Sequence, residues 1–310
     1  MRPGRRVSAI GYKRITFGAL VALYTIVITG SLVRLTGSGL GCADWPRCSE
    51  ERFIDVSTGH GAIEQVNRLF TGVVAASVIL AVLASFRLAV RRRALTYLAL
   101  GLVVGVLAQV VIGGIVVLTG LNPWANMAHF LVSMVLLANA LVLHRLADDR
   151  SAVSNMTNSN TANLPMMLIA AVAVFGLGAV VTGTVVTATG PHAGDENAVR
   201  FGFSIHQVAR VHGSTVIATI VVIAVLLWKT KGRARHFESR VARLMGVALL
   251  QALVGYVQYL ADVPAFLVAI HIAMAGAVWL CLVDVVYSAW LTRSHGASRH
   301  SDKSLEPSMQ

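Results

Sequence analysis

Eight apolar blocks run along the chain, at about 15–35, 62–86, 94–118, 124–144, 164–188, 205–228, 241–260 and 264–290. Each is near the ~20 residues a helix needs to cross a hydrocarbon core. Apolar residues fill these blocks on every side, leaving no stripe for water as a soluble helix would. Inside a bilayer every backbone N–H and C=O must be satisfied within the protein, and long helices do this segment by segment. The pattern therefore predicts an all-α integral membrane protein of eight transmembrane helices.

Polar residues inside the blocks repeat. Thr29-Gly30-Ser31 returns as Thr182-Gly183-Thr184, and Gly37 as Gly190, 153 residues on. Ile63-Glu64-Gln65-Val66-Asn67-Arg68 resembles Ile205-His206-Gln207-Val208-Ala209-Arg210, 142 residues on, and Gln109, Gly113 and His129 meet Gln251, Gly255 and His271 at the same spacing. The chain thus reads as two four-helix bundles related by a pseudo-twofold axis along the membrane normal. On this reading 1–147 is the N-terminal half and 164–292 the C-terminal half. The polar stretch 148–163, without periodicity, is a cytoplasmic linker, and 293–310 a disordered cytoplasmic tail. The change of spacing places eleven additional residues in the first outer loop.

Charge fixes the expected orientation. Most of the 26 Lys and Arg fall before the first block, after the second, fourth and sixth, and in the C-terminal tail. The opposite loops hold only Arg34, Arg47, Arg52 and Arg200. By the positive-inside rule both termini are cytoplasmic and the location is the cell membrane. The net charge of +12 would suit nucleic acid, but the basic residues lie between apolar blocks without interleaved aromatics. Membrane lipid, not nucleic acid, is the expected partner.

Ionisable groups inside a membrane are costly and mark function. His129 and His271 hold equivalent places two turns inside the fourth helix of each half, and imidazole is a good axial ligand for haem iron. His212, at a depth like that of His271, is the partner expected to complete a bis-histidine haem site. His206, six residues earlier and on another face, becomes a rim residue near a haem propionate. In the N-terminal half, His60, Glu64 and Asn67 share one face of the second helix. Glu64 either pairs with Arg68 one turn on or takes part in chemistry. Arg68 and Arg210 suit haem propionates, because guanidinium grips carboxylates bidentately. Cys42 and Cys48 lie in the first outer loop, on the oxidising side, where they can form a structural disulfide or a redox pair.

The loop VRLTGSGLGCADWPRC, the IEQVNR opening of the second helix, the paired histidines and GPHAGD at 190–195 together resemble the haem A synthase family across all eight blocks. The resemblance implies oxidation of the C8 methyl of haem O to a formyl group, giving haem A for terminal oxidases. It implies substrate haem in the N-terminal half, haem b in the C-terminal half, and iron ligands at His129, His212 and His271. It also assigns the family's catalytic glutamate to Glu64 and its loop cysteine pair to Cys42 and Cys48. Haem O synthase and cytochrome oxidase assembly factors are the implied partners, and a homo-oligomer is allowed. The chain departs from the pattern where many members carry Glu-x-x-His-Arg: Asn67 stands in place of that histidine. This leaves His129 alone, or His129 with His60, to hold the substrate. The chain also lacks a cysteine pair in the third outer loop. A quinone-linked dihaem cytochrome b and a transporter are the rival classes.

Overall fold

The computed structural model describes residues 6–148, 164–232 and 235–303. Among these the regular structure is helical, apart from one isolated bridge between Val7 and Leu88. The helices are α1 (Ala9–Leu35), α2 (Gly59–Phe86), α3 (Arg93–Leu118), α4 (Pro123–Ala147), α5 (Met166–Thr189), α6 (Ile205–Thr230), α7 (Arg235–Leu260) and α8 (Ala265–Lys303). All eight are long and apolar enough to cross a membrane.

Helix ends follow local chemistry more than hydropathy. α1 starts six residues before its apolar block because the Ser8 hydroxyl caps the Gly11 N–H at 3.1 Å. Thr58 and Asn122 cap α2 and α4 in the same way, with Pro123 in the first turn of α4. Such caps satisfy donors that a helix start leaves free. α8 stays helical to Lys303, past the point where a disordered tail is expected from the sequence. The expected linker, after Asp148, lies outside the described residues.

Within each half the helices close a ring: α1 packs on α2 and α4, and α3 on α2 and α4; α6 packs on α5 and α7, and α8 on α5 and α7. The rings meet through α4 against α8, flanked by α1 against α8 and α4 against α5. Exchanging the first four helices for the last four leaves this set of packed pairs unchanged.

The buried apolar cores sit toward the end of the bundle that carries the basic segments. One contains Leu20, Val78, Leu102 and Leu137; the other contains Val172, Ile223, Leu244 and Val285. Nearer the opposite end the packing thins. No residue of α6 before Thr219 is buried, and in α4 none is buried between Pro123 and Met134. Protein interiors are normally close-packed, so α4 and α6 are incompletely covered at that end, where a smaller core of Val116, Leu121, Ala193 and Ala198 joins the two halves.

An ionic cluster ties the rings at the basic end. Asp284 of α8, 13% exposed, meets Arg145 of α4 at 3.1 Å and Arg240 of α7 at 2.5 Å. Asp284→Ala leaves two cations without this partner. The expected loss is about 2 kcal/mol, between an exposed pair and a buried one. Thermal unfolding in detergent reads it as a lower midpoint, with Asp284→Glu restoring part of the loss.

Candidate functional site

The histidines lie in the stretches of α4, α6 and α8 toward the end away from the basic segments. In the C-terminal ring, His212 of α6 and His271 of α8 face each other, with ring centroids 6.4 Å apart and planes at 76°. A metal between two imidazoles, with bonds of about 2.0 Å and roughly 1.2 Å from nitrogen to ring centre, requires ~6.4 Å.

Neighbouring residues hold both rings. The Thr182 hydroxyl of α5 has an acceptor in the Gly178 carbonyl at 2.8 Å and is hydrogen-bonded to His212 Nδ1 at 3.1 Å. With the hydroxyl proton given to Gly178, its oxygen takes the Nδ1–H and leaves the Nε2 lone pair free, the state an axial ligand needs. Thr215 extends this network, 3.0 Å from the Thr182 hydroxyl. Gln251 of α7 donates to the His271 carbonyl at 3.0 Å. Glycines let both rings approach: a Cβ at Gly183 would stand 3.1 Å from the His212 ring, and one at Gly255 2.8 Å from the His271 ring.

The N-terminal ring repeats part of this. Gln109 of α3 donates to the His129 carbonyl at 2.9 Å, and a Cβ at Gly113 would stand 3.5 Å from the His129 ring. These are the contacts of Gln251, Gly255 and His271, 142 residues earlier. Nδ1 of His129 and of His271 is buried with no hydrogen-bond partner among the described residues. Such an orphan costs about 1–3 kcal/mol unless something else engages the ring.

The register of the second helix differs from the sequence expectation. Thr29 and Thr182 occupy matching places in α1 and α5. Thr182 bonds His212, whereas Thr29 donates to Asn67 Oδ1 at 2.8 Å. Asn67 therefore corresponds to His212, 145 residues on, and not to Ala209. The slip is three residues, nearly one helical turn, so it keeps roughly the same face and is easily missed in a sequence comparison. The first outer loop is longer than its counterpart by eight residues, not eleven.

Glu64 of α2 is 5% exposed. Its Oε2 accepts the Cys42 N–H at 2.8 Å, and its Oε1 accepts Arg68 Nε at 3.0 Å and Nη2 at 2.6 Å. Arg68 also donates to the carbonyls of Cys42, Asp44 and Arg47. All five of its N–H groups are thus engaged inside the protein, and none is left for a propionate. Cys42 and Cys48 form a disulfide, so Glu64, Arg68 and the looped segment make one unit. That loop lies over the N-terminal ring: a Cβ at Gly114 of α3 would stand 2.8 Å from the Trp45 indole. Beside it, Asp55 accepts the Ser57 N–H at 2.9 Å and meets Arg52 at 3.6 Å; chiefly the Ser57 bonds hold its carboxyl below the usual range.

Breaking the disulfide should loosen this unit. Closing so short a loop contributes about 2 kcal/mol. Cys42→Ser/Cys48→Ser is expected to lose that much in detergent unfolding and to be cut faster by trypsin at Arg47 and Arg52. The paired serines should make reductant irrelevant to both readouts.

The remaining candidates lie near the loop end. His60, in the first turn of α2, is exposed, and its Nδ1 is 2.9 Å from the Ser38 hydroxyl. His206 is exposed and bonded to Tyr259 at 3.0 Å, and Arg210 is exposed. His192, in the GPHAGD segment, takes part in joining the rings. Its carbonyl accepts Arg34 Nε at 2.7 Å, its Nε2 is 2.8 Å from the Val263 carbonyl, and nearby the Gly39 N–H donates to Gly194.

A family model described as cytochrome oxidase assembly protein matches residues 13–60 and 54–283. The chain belongs to the haem A synthase family. A 154-residue stretch is 30% identical to the haem A synthase of Geobacillus kaustophilus, covering 49% of this chain and 48% of that protein. Another, of 113 residues, is 32% identical to the enzyme of Geobacillus thermodenitrificans, covering 36% and 35%. A third, of 120 residues, is 34% identical to that of Bacillus pumilus, covering 38% and 39%. The matched stretches span from about a third to a half of these relatives.

As a haem A synthase family member with eight spanning helices, the chain is a multi-pass membrane protein, and a haem is the group to test against its residues. The donor set fits. Two opposed imidazoles suit a cofactor that brings four donors of its own, and among the described residues no cluster of three or more metal-ligating side chains forms. The glycine faces and thin packing around the rings suit a flat macrocycle.

Proposed function

We propose that this chain oxidises the C8 methyl of haem O to a formyl group, yielding haem A for terminal oxidases. The His212–His271 pair, spaced for an iron between its rings, is the observation that carries the reading, with family membership behind it. The C-terminal half holds haem b between these two histidines. The N-terminal half seats haem O against His129. The halves are 1–147 and 164–292, joined by the cytoplasmic linker 148–163, with both termini cytoplasmic in the cell membrane. His206 and Arg210 stand at the rim of the haem b site, where a propionate would emerge.

Haem b, when bound, would pass the electrons one at a time to an external acceptor of the quinone class. The protein's own part is positioning and charge. Thr182 fixes the tautomer of His212, Gln251 anchors the α8 backbone at His271, and Gln109 does so for His129. Glu64 is the acidic group of the substrate half. Cys42 and Arg68 hold its two oxygens in place. Removing electrons from the methyl makes its carbon cationic, and a fixed carboxylate in a dry setting opposes that charge. Glu64 then takes a proton from the water that adds. Two such rounds turn CH3 and two waters into an aldehyde hydrate, four protons and four electrons; loss of one water gives the formyl group.

Co-expression with a haem O synthase, followed by mass analysis of extracted pigment, tests the reading. Haem A or hydroxylated haem O should accumulate only when this chain is present. Unmodified haem O and haem b alone would favour a dihaem electron-transfer protein. Haem O synthase and oxidase assembly factors are the proposed partners.

A further inference from the structure

We infer that the two haem seats differ in coordination: the C-terminal half closes both axial positions, and the N-terminal half supplies one ligand, His129, and leaves the other position open. This rests on the haem reading above.

The comparison is residue by residue. At matching places in α1 and α5, Thr29 and Thr182 each bond a potential ligand side chain of the following helix, Thr182 bonding Thr215 as well. In the C-terminal half that side chain is an imidazole, oriented with Nε2 free. In the N-terminal half it is the carboxamide of Asn67. Its oxygen accepts the Thr29 proton at 2.8 Å and is a hard, neutral donor far weaker toward haem iron than imidazole, and its nitrogen has donors but no lone pair to give a metal.

Glycine environments show the same difference. A Cβ at Gly183 would meet the His212 ring at 3.1 Å, whereas one at Gly30, the matching residue of α1, meets nothing within 4 Å. The space that an imidazole fills in one half is vacant in the other. His60 does not replace it. It lies seven residues before Asn67, about 10 Å along the helix, exposed and bonded to Ser38.

One imidazole holds iron less firmly than two, and an open axial position admits an outside ligand. Both properties suit a haem that must enter and leave, and neither suits a resident electron carrier. The chain thus separates a substrate seat from a cofactor seat by a single side chain at one position of a repeated scaffold.

The test uses the full chain purified in detergent and loaded with ferric protohaem, then reduced and exposed to carbon monoxide. About half of the bound haem should be low-spin and silent to carbon monoxide, and about half should bind it. Asn67→His should convert the reactive half to low-spin and cut carbon monoxide binding about tenfold or more. It should also slow haem transfer to apomyoglobin. His129→Ala should remove the reactive half alone, which keeps the inference testable if Asn67→His does not fold. Wild-type haem that is entirely low-spin and silent would overturn the inference and leave the haem reading standing. A wild-type chain that binds no protohaem would overturn both.

Discussion

Glu64→Gln is expected to retain the fold and the haem content and to lower haem A formation about a hundredfold or more, the scale of removing a fixed charge from a reacting centre. The glutamine carbonyl can still accept the Cys42 N–H that Glu64 accepts at 2.8 Å, and Arg68 keeps its carbonyl acceptors in Cys42, Asp44 and Arg47, although the glutamine amide no longer accepts from it. What disappears is the negative charge and the ability to take a proton. Glu64→Ala is the harsher change. It strips Arg68 of its partner in a site where the carboxylate is 5% exposed, and a broken buried pair costs about 3–5 kcal/mol. The informative result is therefore the contrast. Pigment analysis should show both variants inactive, while unfolding in detergent should show the glutamine variant, which keeps one bond to the loop, losing less stability than the alanine variant. An active glutamine variant would leave Glu64 as a staple of the loop and nothing more.

His271→Ala should remove the low-spin haem of the C-terminal half, about half of the total bound, because one imidazole cannot complete a bis-histidine site. His212→Ala should do the same, and the double variant should look like either single one, since the two rings act as one site across 6.4 Å. Absorbance and haem content per chain measure this directly. Thr182→Val is a finer probe. It keeps shape but deletes the hydroxyl bonded to His212 Nδ1, so haem should stay bound while its potential or ligand-field spectrum shifts. Loss of both haems in His271→Ala would mean that the ring serves the whole fold and not one seat.

The eight helices are legible in the sequence because bilayer solvation demands long apolar segments, and that demand is written in composition. His129 and His271 are legible for the complementary reason: a polar residue in such a segment stands out, and here it does so twice at one spacing. The pairing of Glu64 with Arg68 follows from their four-residue separation. The arginine's grip on three loop carbonyls does not, because backbone acceptors leave no mark in a sequence. The register of the second helix was hidden by the likeness of Gln-Val-Asn-Arg to Gln-Val-Ala-Arg. Only the threonine bonds to Asn67 and His212 reveal which residues share a place. His192 was missed because its contacts, to Arg34 and Val263, span distant parts of the chain. Gly183 and Gly255 carry a signal that the repeat pointed to, since a side chain there would push on an imidazole.

The two rings are fastened at opposite faces of the bilayer. Asp284 clasps Arg145 and Arg240 at one face, and the Gly39–Gly194 and Arg34–His192 bonds clasp the other. Moving one ring against the other would break one of these clasps, so the paired contacts favour a fixed relation between the two rings.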